Sequence, residues 1–162
     1  MRKMKEAHDK GQMFSFLLNR VREIVRKPSN TNAKLLTICK LLVSSVPNYD
    51  WVGFYLVNLS GKRDLVLGPF VGEPTEHVRI PFGKGICGQA AERKATFIVQ
   101  DVSKETNYLS CSPNVQSEMV VPIFKNGEIV GELDIDSHTL SPFKEEDRKF
   151  LEDICEIVSE LF

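Results

Sequence analysis

The dipeptide Asn126-Gly127 constrains the fold more than any other feature, because it separates two apolar segments rich in β-forming residues. Asn-Gly is the dipeptide that the tight type I′ hairpin turn prefers. It predicts that residues 119–124 and residues 128–136 are antiparallel neighbours in a sheet. Aromatic and β-branched residues predict a second hairpin, in which residues 51–57 and 64–70 flank a turn at residues 60–62.

Apolar residues at helical spacing occur in the segments before, between and after these strands. This spacing predicts a helix that ends before Pro28, and residues 1–12 ahead of it are polar and expected to be flexible. Further helices are predicted over residues 33–46, 86–94 and 142–162, the last with Ser141 as its N-cap, and short strands over residues 77–80 and 95–99. Two helices, antiparallel strands, a crossover helix, a hairpin and a terminal helix indicate one α+β domain over residues 1–162. We expect the terminal helices on one sheet face, and the loops with a ligand pocket on the other.

The charge and the apolar pattern limit the partners of the chain. A net charge of −1 gives no general attraction to nucleic acid or to an anionic membrane. The apolar runs are shorter than the roughly 20 residues that a membrane-spanning helix needs, and the first residues lack the apolar core of a secretory signal. A cytoplasmic location is therefore expected.

Four cysteines divide into two pairs by their surroundings. Cys39 and Cys155 lie on the inner faces of predicted helices, where cysteine behaves as a small apolar residue. Cys87 lies between glycines at a loop-to-helix junction, where it is either a small packing residue or a thiol that the helix start activates. Cys111 lies in a polar loop and is either reactive or incidental. Because the chain has no Cys-x-x-Cys and its histidines are scattered, no structural zinc site is expected.

Acidic and aromatic side chains alternate on the predicted strands. Glu132, Asp134 and Asp136 share one strand face, and Glu118 begins the neighbouring strand. The face is either a solvated surface or, if the long loop over residues 103–117 covers it, a cluster in which at least one carboxyl pKa is raised. Trp51 and Tyr55 also share a face, as core residues or as an aromatic wall for a ligand.

Five motifs in this order resemble the free methionine-(R)-sulfoxide reductases, which are stand-alone GAF-domain enzymes. They are Trp51-Val-Gly-Phe-Tyr55, Leu65-Val-Leu-Gly-Pro-Phe70, Val78-Arg-Ile-Pro-Phe-Gly-Lys-Gly-Ile-Cys-Gly88, Ser117-Glu-Met-Val-Val-Pro122 and Gly131-Glu-Leu-Asp-Ile-Asp-Ser137. The resemblance implies a GAF fold and reduction of free methionine sulfoxide without a metal or bound cofactor. By the same resemblance, the catalytic positions are Cys111 and Cys87, and the ligand-binding positions are Glu118, Asp134, Asp136, Trp51 and Tyr55.

The chain departs from the family pattern at three places. His77 stands where many members carry a further cysteine, residues 107–110 differ from the family pattern before the catalytic cysteine, and Glu132 replaces a typically apolar residue. Cys87 is then the internal candidate for a disulfide with Cys111, which a thioredoxin-type protein would reduce. The helices could also pair across a two-fold axis and form a homodimer. The competing interpretation is a GAF domain without catalysis that binds a small ligand as a sensor.

Overall fold

The computed structural model describes residues 1–61, 63–110 and 112–162. Lys62, in the predicted turn, and Cys111, the expected nucleophile, lie outside the described residues. In chain order the elements are α1 (Arg2–Arg26), α2 (Thr31–Ser45), β1 (Trp51–Val57), β2 (Asp64–Val71), β3 (Arg79–Pro81), α3 (Gly85–Arg93), β4 (Phe97–Val99), β5 (Ser117–Lys125), β6 (Glu128–Ser137) and α4 (Glu145–Val158).

Within the described residues, six strands form one antiparallel sheet in the order β3-β2-β1-β6-β5-β4. Both predicted hairpins, β1–β2 and β5–β6, are confirmed. At the β5–β6 turn Asn126 and Gly127 have φ values of 52° and 79°. Positive φ at both central positions is what a type I′ turn requires, so this dipeptide sets the turn as predicted.

Three helices cover one face of the sheet, as predicted. α2 packs on β1 and β2, α4 packs on β5, and α1 lies against both helices. The rings of Phe14 on α1 and Phe150 on α4 stack with centroids 4.0 Å apart. The largest apolar cluster lies between these helices and the sheet. The predicted α+β architecture, with the terminal helices packed together beneath the sheet, is therefore confirmed.

Helix α1 begins at Arg2, well before the first residue of the apolar pattern. Lys10 places its Nζ 2.7 Å from a carboxylate oxygen of Asp147 on α4, and Asp147 also accepts a hydrogen bond from the hydroxyl of Tyr49 at 2.8 Å. The Asp147 side chain is 2% exposed, so α1 is tied to the core by a contact that helical periodicity does not reveal. The flexibility of residues 1–12 stays a prediction.

The prediction that Ser141 caps the last helix is wrong. Helix α4 begins at Glu145 with Lys144 as the N-cap residue, and Asp147 accepts a hydrogen bond from the Lys144 backbone N–H at 2.8 Å. Ser141 has a left-handed φ of 51°, and the side chain of Gln100 bonds both backbone groups of Phe143. These contacts hold the chain out of the helix until Lys144. Helix α4 ends at Val158 and a 3₁₀ turn, Ser159–Leu161, follows.

The other face of the sheet carries a second apolar cluster. It contains Trp51 and Tyr55 of β1, the inner residues of α3, and three residues of the long loop, Tyr108, Leu109 and Val115. The predicted placement of loop residues over this face is therefore confirmed. Strands β3 and β4 are each shorter than predicted and lie at the two sheet edges. None of the helices in the described ranges is long and apolar enough to cross a membrane.

Candidate active site

The register of the central strands gathers the acidic and aromatic residues on one face. Across the β1–β6 pair, Trp51 lies opposite Asp136, and Tyr55 lies opposite Glu132. Across the β5–β6 pair, Glu118 lies opposite Asp136. Residues directly opposite in an antiparallel pair direct their side chains to the same side of the sheet. All five side chains therefore lie on the face away from α2 and α4.

All four acids on this face are buried, with Glu118 exposed by 3% and Glu132, Asp134 and Asp136 by 0%. The alternative of a solvated acidic surface is therefore wrong. Helix α3 and residues of the long loop cover the acids, so the charges are removed from water on a sheet that is backed by the main core. Carboxyls in such surroundings are held neutral or need partners.

Cys87 lies over these acids as the third residue of α3. Its Sγ is 3.3 Å from Oδ2 of Asp134 and 3.7 Å from Oε1 of Glu118. The glycines of the turn permit this approach, because a Cβ at Gly88 would lie 2.5 Å from the backbone oxygen of Pro81. Gly85 has φ of +63°, a conformation that favours glycine. The glycine-rich turn thus brings a sulfur atom onto two carboxyl groups.

The electrostatics of the cluster favour bound protons. Burial raises the pKa of Glu118 well above its ordinary value, and the charges of Asp134 and Asp136 raise it further. Burial also raises the pKa of Asp134 to about 6, although hydrogen bonds from Glu118 and Cys87 oppose the shift. The pKa of Glu132 is raised by burial and then by Asp134. The site therefore retains protons near neutral pH that exposed carboxyls would have released.

Trp51 and Tyr55 form an aromatic floor beside the acids. Trp51 is 2% exposed and Tyr55 is 0% exposed, with ring centroids 6.5 Å apart. The indole N–H of Trp51 donates to the backbone oxygen of Glu73 at 3.0 Å, and the hydroxyl of Tyr55 donates to the backbone oxygen of His77 at 2.8 Å. Both rings are thus fixed by the segment between β2 and β3, and their faces remain apolar.

The loop that contains Cys111 is held at one end by Asn107. The Asn107 side chain accepts a hydrogen bond from the Gly85 N–H at 2.9 Å and donates one to the Gly83 oxygen at 2.7 Å. The backbone oxygen of Asn107 also accepts a hydrogen bond from the side chain of Gln89 at 2.9 Å. The start of the loop is therefore attached to the turn that carries Cys87.

Two contacts from the β2–β3 segment hold the loop on either side of Cys111. Nε2 of His77 lies 3.0 Å from the backbone oxygen of Ser110, and the hydroxyl of Ser112 donates to the carboxylate of Glu73 at 2.6 Å. We call these two contacts the loop clasp. A cavity of about 390 Å³ lies beside the clasp and is lined by Glu73, Pro74, Glu76, Ser110, Ser112 and Pro113.

The other two cysteines are core residues, as predicted. Cys39 on α2 is fully buried and lies 3.6 Å from the backbone oxygen of Pro69, and Cys155 on α4 lies 3.7 Å from that of Val121. Burial raises the pKa of both thiols, so both remain protonated. They belong to the apolar cluster on the helical side of the sheet, although the charge of Glu132 adds to the effect of burial on the pKa of Cys155.

Sequence reasoning missed the residues that hold the loop, namely Asn107, Glu73 and the ring of His77. A polar loop has no hydrophobic period, so its partners cannot be found from spacing. The one available signal was that His77 replaces a cysteine in the resemblance. That position does face the Cys111 loop, since the His77 ring contacts Ser110.

Comparison with known proteins agrees with this architecture. The GAF domain model matches residues 33–160. GAF domain-containing protein A of Dictyostelium discoideum is 38% identical over 149 residues, covering 92% of each chain. The free methionine-R-sulfoxide reductase of Escherichia coli is 37% identical over 119 residues, covering 74% of this chain and 70% of that protein. The X-ray structure of free methionine-R-sulfoxide reductase from Neisseria meningitidis in complex with its substrate superposes with a TM-score of 0.88 at 35% identity, covering 94% of this chain and 90% of that one.

Proposed function

Because the chain belongs to the free methionine-R-sulfoxide reductase family of GAF-domain proteins, we propose that it reduces free L-methionine-(R)-sulfoxide to methionine. One observation carries the proposal: Cys87 and the buried carboxyls of Glu118 and Asp134 form one cluster beneath the loop that contains Cys111. A sulfoxide reductase needs a nucleophilic sulfur and a source of protons. The carboxyls of this cluster would supply the protons, and Cys87 would supply a thiol in addition to the nucleophile.

In the proposed reaction Cys111 is the nucleophile. Its thiolate attacks the sulfoxide sulfur while a carboxyl among Glu118, Asp134 and Asp136 protonates the sulfoxide oxygen. The attack forms a bond between the two sulfur atoms, and the protonated oxygen then moves from the substrate sulfur to the Cys111 sulfur. The sulfur–sulfur bond breaks with its electron pair on the substrate sulfur, so methionine leaves and Cys111 becomes a sulfenic acid. The raised pKa of Glu118 supports this role, because an acid that is still protonated near neutral pH has a proton to give.

The remaining carboxylates of this group would bind the substrate ammonium. Backbone N–H groups of the loop would take the substrate carboxylate, and Trp51 and Tyr55 would enclose the thioether end. The rings are suited to that role, because their polar atoms already bond the β2–β3 segment and the rings belong to the same apolar cluster as Cys87. Burial of the acids makes their attraction for an ammonium stronger than it would be in water.

Recycling is proposed to pass through a disulfide. The Cys87 thiol attacks the sulfenic sulfur of Cys111, water leaves, and a thioredoxin-type dithiol then reduces the Cys87–Cys111 bond by exchange. Cys39 and Cys155 are poor alternatives because they are buried on the other side of the sheet. A cytoplasmic location, where such reductants work, and a homodimer paired through the helices belong to the same proposal.

The proposal is tested by the turnover of two cysteine variants. The protein is incubated with L-methionine-R-sulfoxide, thioredoxin, thioredoxin reductase and NADPH, and NADPH loss is followed. Cys111→Ser should be inactive, whereas Cys87→Ser should form about one equivalent of methionine per protein and then stop. Cys155→Ser is the matched control, since it removes a buried thiol outside the cluster, and it should keep turning over. Full turnover by Cys111→Ser would show that the nucleophile is wrongly assigned.

The substrate assignment is tested separately from the residues. The proposed activity would be refuted if the wild-type protein reduced the S epimer but not the R epimer, or reduced neither. Tight binding of a cyclic nucleotide without turnover would instead identify a ligand-sensing GAF domain. Light scattering during size-exclusion chromatography would give the mass of the assembly and so test the homodimer.

A further inference from the structure

We propose that Cys87, Glu118 and Asp134 form a binding site for a thiophilic divalent cation such as Zn²⁺. One sulfur atom and one oxygen atom from each carboxyl lie within 4.8 Å of one another, and all three residues are buried. They come from α3, β5 and β6, so the site is built from three elements of the fold. The proposed binding of the ion follows from the structure of this cluster and does not depend on the proposed function. The further expectation, that the bound ion inhibits the protein, depends on the proposed reductase function.

The distances match those of a tetrahedral zinc site. With Zn–S of about 2.3 Å and Zn–O of about 2.0–2.2 Å, a ligand sulfur and a ligand oxygen are separated by about 3.5–3.7 Å in a tetrahedral site. The Cys87 Sγ lies 3.3 Å from Oδ2 of Asp134 and 3.7 Å from Oε1 of Glu118. An ion can therefore be accommodated by small side-chain movements. The fourth position would be taken by water.

A second observation also indicates a missing ligand. Oδ1 of Asp134 is buried, and no described residue donates a hydrogen bond to it. It belongs to the same carboxyl whose Oδ2 faces the sulfur of Cys87, so this group has unused acceptor capacity inside the cluster. A buried oxygen without a donor costs free energy, and a bound cation would satisfy it.

The donor set selects the kind of metal. Mg²⁺ and Ca²⁺ take oxygen ligands, so a site with a thiolate disfavours them. One thiolate with two carboxylates suits Zn²⁺, and Co²⁺ is its usual spectroscopic substitute. On binding, the Cys87 thiol and any protonated carboxyl release their protons to solvent, and no electron is transferred. The bound ion would occupy the thiol needed for recycling and the acids proposed to hold substrate, so it would inhibit turnover.

The test uses the whole protein, metal-free and fully reduced. It is titrated with Zn²⁺ by calorimetry and, in parallel, with Co²⁺ while the thiolate-to-cobalt charge-transfer band is recorded. We expect one equivalent to bind, with a charge-transfer band in the wild type. Cys87→Ser should lose the band and bind Zn²⁺ at least about 100-fold more weakly, and Asp134→Asn should also bind more weakly. Cys155→Ser is the matched control and should behave as wild type.

The absence of a charge-transfer band in the wild type would overturn the proposal, as would its persistence in Cys87→Ser. Circular dichroism of each variant ensures that lost binding reflects a lost ligand in a folded protein. Neither titration contains substrate, so metal binding and reductase activity are tested independently of each other. Binding without turnover upholds the metal site and refutes the reductase, whereas turnover without binding refutes the metal site alone.

Discussion

Replacing Glu132 with leucine should make the protein more stable. Glu132 is fully buried on β6, and within the described part of the chain neither side-chain oxygen has a hydrogen-bond partner. Burying a polar group without a partner costs about 1–3 kcal/mol in proteins. Leucine fills a similar volume without polar atoms, so we expect the free energy of unfolding to rise by about that amount at neutral pH. For a chain of this size each kcal/mol raises the unfolding temperature by about 2–4 °C.

The stability gain should also depend on pH. Burial, followed by the charge of Asp134, raises the pKa of Glu132 well above its ordinary value of 4.5. Between the two pKa values the folded protein holds a proton that the unfolded chain has released, so the stability of the wild type falls as pH rises. This single group contributes at most about 1.4 kcal/mol per pH unit. Glu132→Leu lacks the titration, so its advantage should be smallest below pH 4.5 and should widen above it.

Urea denaturation between about pH 4 and pH 8 measures both effects, with the emission of the single tryptophan, Trp51, as the probe. Glu132→Gln is the matched control, because it removes the ionisation but keeps two polar atoms in the same place. It should flatten the pH dependence without the full gain of the leucine variant. If Glu132→Leu were less stable than wild type at every pH, the carboxyl would have a stabilising partner and the reasoning would be refuted.

Three further substitutions test contacts in the main core and around the site. Tyr49→Phe should lower the free energy of unfolding by about 1–3 kcal/mol, because the hydrogen bond to the buried carboxylate of Asp147 at 2.8 Å is lost; an unchanged urea midpoint would contradict this. Gly53→Ala should cost about 1–3 kcal/mol and shift the emission of Trp51, because the new Cβ would lie 2.4 Å from a ring carbon. Ser112→Ala should speed amide hydrogen exchange in the loop roughly 10- to 100-fold, because its hydroxyl bond at 2.6 Å joins the loop to a facing carboxylate; unchanged exchange would show that this bond does not hold the loop.

The sheet was predictable because its signals are local. Alternation places every second residue of a strand on one side, and the turn at Asn126-Gly127 fixes the relation of β5 to β6. Those two facts do not yet place Glu118 beside Asp136, because the pairing of β5 with β6 shifts by one residue between Ile123 and Phe124. An unbroken ladder from the turn would set Glu118 opposite Ile135, on the other face of the sheet. The pairing of β1 with β6, which brings Trp51 to the same acids, required the tertiary structure.

The helix ends were less predictable because long-range contacts decide them. Residues 1–12 have no apolar period, yet α1 includes most of them and joins the core through Lys10 and Asp147. Ser141 has good N-cap chemistry, but Gln100, distant in sequence, holds the next residues in a non-helical conformation. In both cases a polar contact between distant residues decides where the helix begins, against the local preference of the sequence. The helix propensity of a single residue contributes less free energy than a hydrogen bond or ion pair of this kind.

The same reasoning explains why the sequence alone does not decide whether the acidic residues of β5 and β6 belong to a reductase or to a ligand-sensing domain. Alternation indicates which face Glu118 and Asp134 occupy, but it contains no information about what covers that face. The cover is α3 and the loop, and the loop is held by Asn107 and the clasp, which join residues 18 to 39 positions apart. If the same strand lay beneath an open loop, its carboxyls would be solvated and would keep ordinary acidity, as a sensing domain allows. The proton-holding character that supports a reductase is therefore a property of the covering loop and α3, which spacing within the strands does not encode.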